Sequence, residues 1–294
     1  MIKKEESLGI PNYGMQYLKM PPEHNTLEDI IKEFKGINKF INDVASSNTV
    51  PEFQGKKKRI QFINYGSTQL VYVLTIDEKK QYTFLVNQPI TKFGLGKREF
   101  ENLRILSQEN KENVITPLYY FSEKNRELYI TPYHYQSRCI GVEDKEWGIW
   151  IPEPKYNFNE FKGKDKKIIN ASMVALLIKL YDKKEKRGLS EVRLDGGDFM
   201  LEKGFENEKI DFENIMKNIR LIAARNLENM ELDEYIYRVR EELSGKVTEN
   251  KEMRIIGKKL RKQLEPDEIE EGIKLGLSLR EKEKNNQQIR SYNN

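Results

Sequence analysis

Apolar side chains recur at helical spacing through Ile30, Ile31, Phe34, Ile37, Phe40 and Ile41. Thr26 followed three residues later by Asp29 supplies a capping signal, so the pattern predicts a helix from there to about Val44. Ser46-Ser47-Asn48 and Pro51 close it. Residues 1–25, with Gly9, Pro11, Gly14, Pro21 and Pro22, read as irregular. The period then changes. Segments 59–64, 69–76 and 81–86 are rich in Val, Ile, Tyr and Leu, and the polar turn at 77–80 makes the last two a hairpin. Gly94 and Gly96 mark a loop before an amphipathic helix over 97–108, carried by Phe100, Leu103, Ile105 and Leu106. Two further strands are predicted at 114–121 and 127–135.

The second half reads differently. Residues 147–163 are aromatic and proline-bearing, without a clear period. A strong helical pattern follows over 168–181 through Ile169, Met173, Leu176, Leu177 and Leu180, with Gly188 as its stop. Gly196-Gly197 breaks the segment 189–201, and 209–212 reads as a brief strand. Beyond Glu213 the pattern is helical, including 232–243, and the tail after Lys251 reads as fraying. The expected organisation is an N-terminal extension with one helix (1–57), a β-rich lobe (58–136), a helical lobe (137–250) and a charged helical tail, partly disordered (251–294).

Composition narrows the function classes. Lys and Arg (51) exceed Asp and Glu (47) by four, and the two signs are interleaved, which argues against a specific nucleic-acid partner. The run Lys56-Lys57-Lys58-Arg59 reads as a solvated turn. The single cysteine, Cys139, permits no internal disulfide and fits a reducing compartment. With one Cys and two His (His24 and His134), a Cys/His zinc site has no ligand set. No apolar window is long enough to span a membrane and the first residues are charged, so the expectation is a cytoplasmic protein with no membrane contact.

Four motifs give the chain a resemblance to the protein-kinase-like superfamily, nearest to aminoglycoside- and choline-type small-molecule phosphotransferases. Asn64-Tyr65-Gly66-Ser67-Thr68-Gln69-Leu70-Val71-Tyr72-Val73 is similar to an abbreviated nucleotide loop, in which backbone amides at Gly66, Ser67 and Thr68 approach phosphate. Phe84-Leu85-Val86-Asn87-Gln88-Pro89 resembles the third strand, with Asn87 where a phosphate-contacting lysine is expected. Lys97-Arg98-Glu99-Phe100 resembles the start of the helix whose glutamate, here Glu99, pairs with that lysine. Leu194-Asp195-Gly196-Gly197-Asp198, followed by Lys209-Ile210-Asp211-Phe212, resembles the catalytic loop and metal strand, with Asp198 and Asp211 as magnesium ligands.

The resemblance implies an α+β, two-lobed kinase-like fold: a small antiparallel-sheet N-lobe with one helix and a mainly helical C-lobe. It also implies ATP and Mg2+ at the cleft between the lobes. The chain departs from the pattern where a catalytic base is expected. Arg193 holds that position and Glu191 the histidine position two residues earlier. An arginine stays cationic and takes no proton from an attacking hydroxyl, which leaves Asp195 or Glu191 to stand in as base and Arg193 to hold a phosphate or pair with Asp211. Three readings stay open: an atypical phosphotransferase, a pseudokinase that binds nucleotide or a protein partner, and a non-enzymatic α+β interaction module with no nucleotide site. The aromatic segment 147–161 lies where the family inserts substrate-recognition elements, and packing over the helical lobe is the more ordinary explanation for it.

Overall fold

The computed structural model describes Met15 and residues 18–65, 68–133, 138–139, 162–190, 198–201, 209–244 and 264–292. The chain divides into two compact units. One comprises Met1–Arg104, Thr116–Tyr135 and Asp144–Lys155; the other comprises Ile105–Ile115, Gln136–Glu143 and Tyr156–Asn294.

The first unit is built on a five-stranded antiparallel sheet. Its strands β1 (Lys58–Tyr65), β2 (Gln69–Ile76), β3 (Lys80–Asn87), β4 (Tyr119–Glu123) and β5 (Arg126–Pro132) lie in the order β1-β2-β3-β5-β4. Helix α1 spans Leu27–Ser46 and α2 spans Leu95–Glu109, between β3 and β4. Three strands, one helix and two strands is the element order that the kinase resemblance implies, and the class is α+β.

Alternation along the strands sorts the side chains onto two faces. Leu70, Tyr72, Leu74, Ile76, Tyr82, Phe84, Val86, Leu128 and Ile130 form one core with Ile37, Phe40, Ile41 and Val44 of α1. Thr26 caps α1, its Oγ1 accepting from the Asp29 amide at 3.2 Å. Arg126 of β5 grips Glu33 of α1 with two hydrogen bonds of 2.9 Å, and it runs so close over Gly36 that a Cβ there would stand 2.3 Å from Nη2. On the opposite face Phe100 of α2 packs against Tyr120 and Tyr129. The sheet therefore carries helices on both sides. Segment 114–118, expected as strand, enters none: Pro117 lacks an amide donor, and Val114 makes only an isolated bridge to Leu221.

In the second unit the centre is helix α3 (Gly163–Lys179), whose residues from Ile169 to Ile178 are all buried. Its helix ends at Lys179; Gly188, expected as its stop, instead lies in β7 (Arg187–Ser190). There a Cβ would stand 2.3 Å from the Tyr235 ring, so glycine is required by close packing. Strand β7 pairs with β10 (Asn226–Asn229), and β8 (Phe199–Leu201) lies between β6 (Arg138–Cys139) and β9 (Ile219–Leu221). Helices α4 (Phe212–Asn218), α5 (Leu232–Ser244) and α6 (Pro266–Tyr292) are the remaining α-helices among the described residues.

The pattern beyond Lys251 reads as a fraying tail, yet α6 is seated against α3 through Gly272 and Gly276, with Ile269 and Ile273 buried. Arg280 of α6 donates to the carbonyls of Ile178, Lys179 and Tyr181 at 3.2, 3.1 and 2.6 Å, tying α6 to the last residues of α3 and the turn after it. Burial lowers the pKa of that guanidinium from its ordinary value.

Arg240 of α5 holds Glu270 of α6 in a fork of 2.6 and 2.9 Å. The hydrogen bond from Arg240 lowers the Glu270 carboxyl below its ordinary 4.5, burial opposes it, and the charge of Arg240 adds to the lowering. A depressed carboxyl stabilises the fold above its unfolded value and loses that contribution as pH falls through its folded value. Arg240→Gln is therefore expected to be less stable than wild type at neutral pH, with the difference closing as the pH is taken below 4.5. Urea titrations of both proteins across that range check it. Among the described residues, no helix is long and apolar enough to cross a membrane.

Candidate functional site

The motif residues fall in both units, and each half is described within its own. In the first unit, Gly66 and Ser67 lie outside the described residues. Thr68 directs its backbone carbonyl to the turn after β3, accepting from the Gln88 amide at 2.8 Å and from Thr91 Oγ1 at 2.9 Å.

Asn87 ends β3, across the ladder from Gln69. It is buried, and its Nδ2 donates to Glu127 Oε2 at 2.8 Å. Glu127, 1% exposed at the start of β5, gathers more than this. Its Oε2 also accepts from the amides of Gly94 (2.8 Å) and Gly96 (3.3 Å), and its Oε1 from the Lys97 amide (3.1 Å) and the Tyr120 hydroxyl (2.6 Å). Five donors from three elements thus converge on one carboxylate, which serves as the cap of α2. Burial, then the bond to Glu127, pushes the Tyr120 hydroxyl well above its ordinary range.

Glu99, one turn further along α2, is 3% exposed and accepts from Gln69 Nε2 at 2.7 Å. Gln69 also donates to the Tyr129 hydroxyl at 3.3 Å. A neutral amide on β2 thus stands beside the glutamate for which the family pattern supplies a lysine.

In the second unit, Glu191, Arg193 and Asp195 lie outside the described residues. Asp198 precedes β8, with its side chain 3% exposed, and Arg225 Nη2 lies 3.1 Å from its Oδ1. Its backbone carbonyl accepts from the Ile222 amide at 2.8 Å. Asp211 is the N-cap of α4, its Oδ1 accepting from the Asn214 amide at 3.0 Å, while Asn214 Nδ2 returns to the Lys209 carbonyl at 2.9 Å. The segment 209–212, expected as strand, is therefore a helix entry: an Asx cap wins over the short apolar run. Among the described residues no group of three or more His, Cys, Asp or Glu side chains could hold a metal ion.

Gln69, Glu127 and Arg225 were not among the residues singled out from the sequence. Glu127 left an indirect signal. Residues 92–96 offer no Ser, Thr, Asp or Asn to cap α2, so its first amides need an acceptor from elsewhere. Arg225, 27 positions from Asp198, left none.

No family model matches the sequence, and no curated protein matches it. Solved structures similar to it include a crystal structure of the BubR1 kinase domain, 15% identical, TM-score 0.40, covering 61% of this chain and 49% of that one. Another is the autoinhibited serine kinase domain of the giant muscle protein titin, 14% identical, TM-score 0.36, covering 60% of this chain and 47% of that one. The chain thus spans about half the length of the structures it matches.

Proposed function

We propose that this chain is a pseudokinase: a kinase-like scaffold that acts by binding a protein partner rather than by transferring phosphate. The observation that carries this reading is that Asn87, Glu99, Asp198 and Asp211 each have an internal partner that serves the fold. Phosphoryl transfer needs a cation at the α/β-phosphates and carboxylates open to magnesium. Asn87 brings no charge and gives its amide to Glu127. Glu99 accepts from the Gln69 amide. The buried Asp198 carboxylate already faces a guanidinium, and a dication at the same carboxylate would meet that positive charge. Asp211 commits one oxygen to capping α4. These residues do not fit a kinase-type magnesium–nucleotide site, so we derive no catalytic step through it. The relation to small-molecule phosphotransferases within the superfamily rests on the sequence motifs at 64–73 and 194–212.

The reading is tested by ADP release from ATP and magnesium. Wild type is expected to release no more than Asp211→Ala, with both proteins folded by circular dichroism. Turnover above that background, lost in Asp211→Ala, would restore the phosphotransferase reading.

A further inference from the structure

The turn between β3 and α2 exposes Ile90 and Phe93, which keep 49% and 53% of their surface in solvent. Exposed side chains of this size are unremarkable when scattered singly on floppy loops. This turn is bonded along its length. Gln88, 1% exposed, donates its amide to the Thr68 carbonyl at 2.8 Å and accepts from the Lys19 amide at 3.1 Å through Oε1. The Ile90 amide donates to the Lys19 carbonyl at 2.9 Å, Thr91 closes a turn back to Gln88 at 2.8 Å, and Gly94 is held by Glu127. Pro89 fixes one further dihedral. The backbone that carries the two large apolar side chains is thus bonded before any partner arrives, which lowers the ordering cost of binding.

Charge selects the partner. Lys92 lies between Ile90 and Phe93 along the chain, Lys97 and Arg98 follow within five residues of Phe93, all three are exposed, and from Gln88 to Arg98 there is no acidic residue. Lys97 reaches Glu101 only at 3.9 Å, between two exposed side chains. A small free anion at the start of α2 is disfavoured because the amides of Gly94, Gly96 and Lys97 already go to Glu127. A lipid surface is disfavoured because three cations and two half-exposed side chains are a weak anchor.

We infer that the turn at 88–98 is a docking surface for an acidic peptide segment: two large apolar side chains, flanked by Asp or Glu, that pack on Ile90 and Phe93 while the flanks meet Lys92, Lys97 and Arg98. It names a partner chemistry for the scaffold reading, but the surface would bind whether or not nucleotide does, so the two fail separately.

The test is to pan a displayed library of random peptides against the full chain. The expected selection is peptides with paired apolar residues and acidic flanks, bound at least tenfold more weakly by Ile90→Asp/Phe93→Asp. Lys92→Glu/Arg98→Glu, which leaves the apolar pair in place, is expected to select basic flanks instead. Circular dichroism and thermal midpoints confirm that both variants are folded. The inference is overturned by no enrichment, by enriched peptides without acidic flanks, or by equal binding to the Ile90/Phe93 variant. It is also overturned if phosphatidylcholine–phosphatidylserine vesicles bind wild type, lose binding in these variants, and no peptide does the same.

Discussion

Glu127→Gln is expected to destabilise the protein by about 3–5 kcal/mol, through loss of acceptors at the entry to α2. The two carboxylate oxygens divide the donors between them: Asn87 Nδ2 with the Gly94 and Gly96 amides on one, the Lys97 amide and the Tyr120 hydroxyl on the other. A glutamine presents an NH2 to one of those sets, donor against donor, whichever way it turns. Each buried group left without an acceptor costs about 1–3 kcal/mol, and two or three are affected. Urea denaturation reads the total, and amide exchange localises it, with Gly94, Gly96 and Lys97 losing protection first. The exposed Glu123→Gln on β4 serves as the comparison and should change stability by no more than about 0.5 kcal/mol. A Glu127→Gln protein as stable as wild type would mean that the carboxylate does not hold α2.

The double substitution Gly272→Ala/Gly276→Ala should also destabilise, against the ordinary trend. In an open helix, replacing glycine by alanine stabilises by about 1 kcal/mol. Here a Cβ at position 272 would stand 2.5 Å from Val174 Cβ and 2.6 Å from the Ala171 carbonyl oxygen. One at position 276 would stand 2.6 Å from Ile178 Cβ and 2.8 Å from the Ala175 carbonyl oxygen. Backbone atoms cannot turn aside as a flexible side chain can, so α6 must move off α3. Overpacking of this kind costs about 1–3 kcal/mol per site. A lowered urea midpoint is the expected result, and a raised one would show that α6 does not pack on α3 through these glycines. Lys274→Ala, on the exposed side of the same helix, should leave the midpoint nearly unchanged.

How far the chain was legible depended on how local each signal is. Strand β2 was read at its observed bounds, and α1 was read from its cap, because alternation and a Thr–Asp capping pair are short-range. Proline defeated the first part of the strand expected at 114–121, and the Asx cap the one expected at 209–212, where a short apolar run looks the same in either state. Helix α6 was undervalued because its charged composition hides two glycines whose meaning appears only beside Ala171 and Ala175. Among the motif positions, the missing lysine at Asn87 was visible as a residue type. Its consequence, that Glu127 takes the amide and Gln69 takes Glu99, is set by strand pairing and lay beyond sequence pattern. The Asp198–Arg225 pair is of the same kind.

In the proposed pseudokinase, the polar groups of Asn87, Glu99, Asp198 and Asp211 are committed to partners within the fold rather than to nucleotide. Calorimetric titration of the purified chain with ATP and magnesium, with Asp211→Ala beside it, separates the two cases. No magnesium-dependent binding is expected at millimolar ATP, and no difference between the two proteins. Saturable magnesium-dependent binding by wild type, lost in Asp211→Ala, would contradict it.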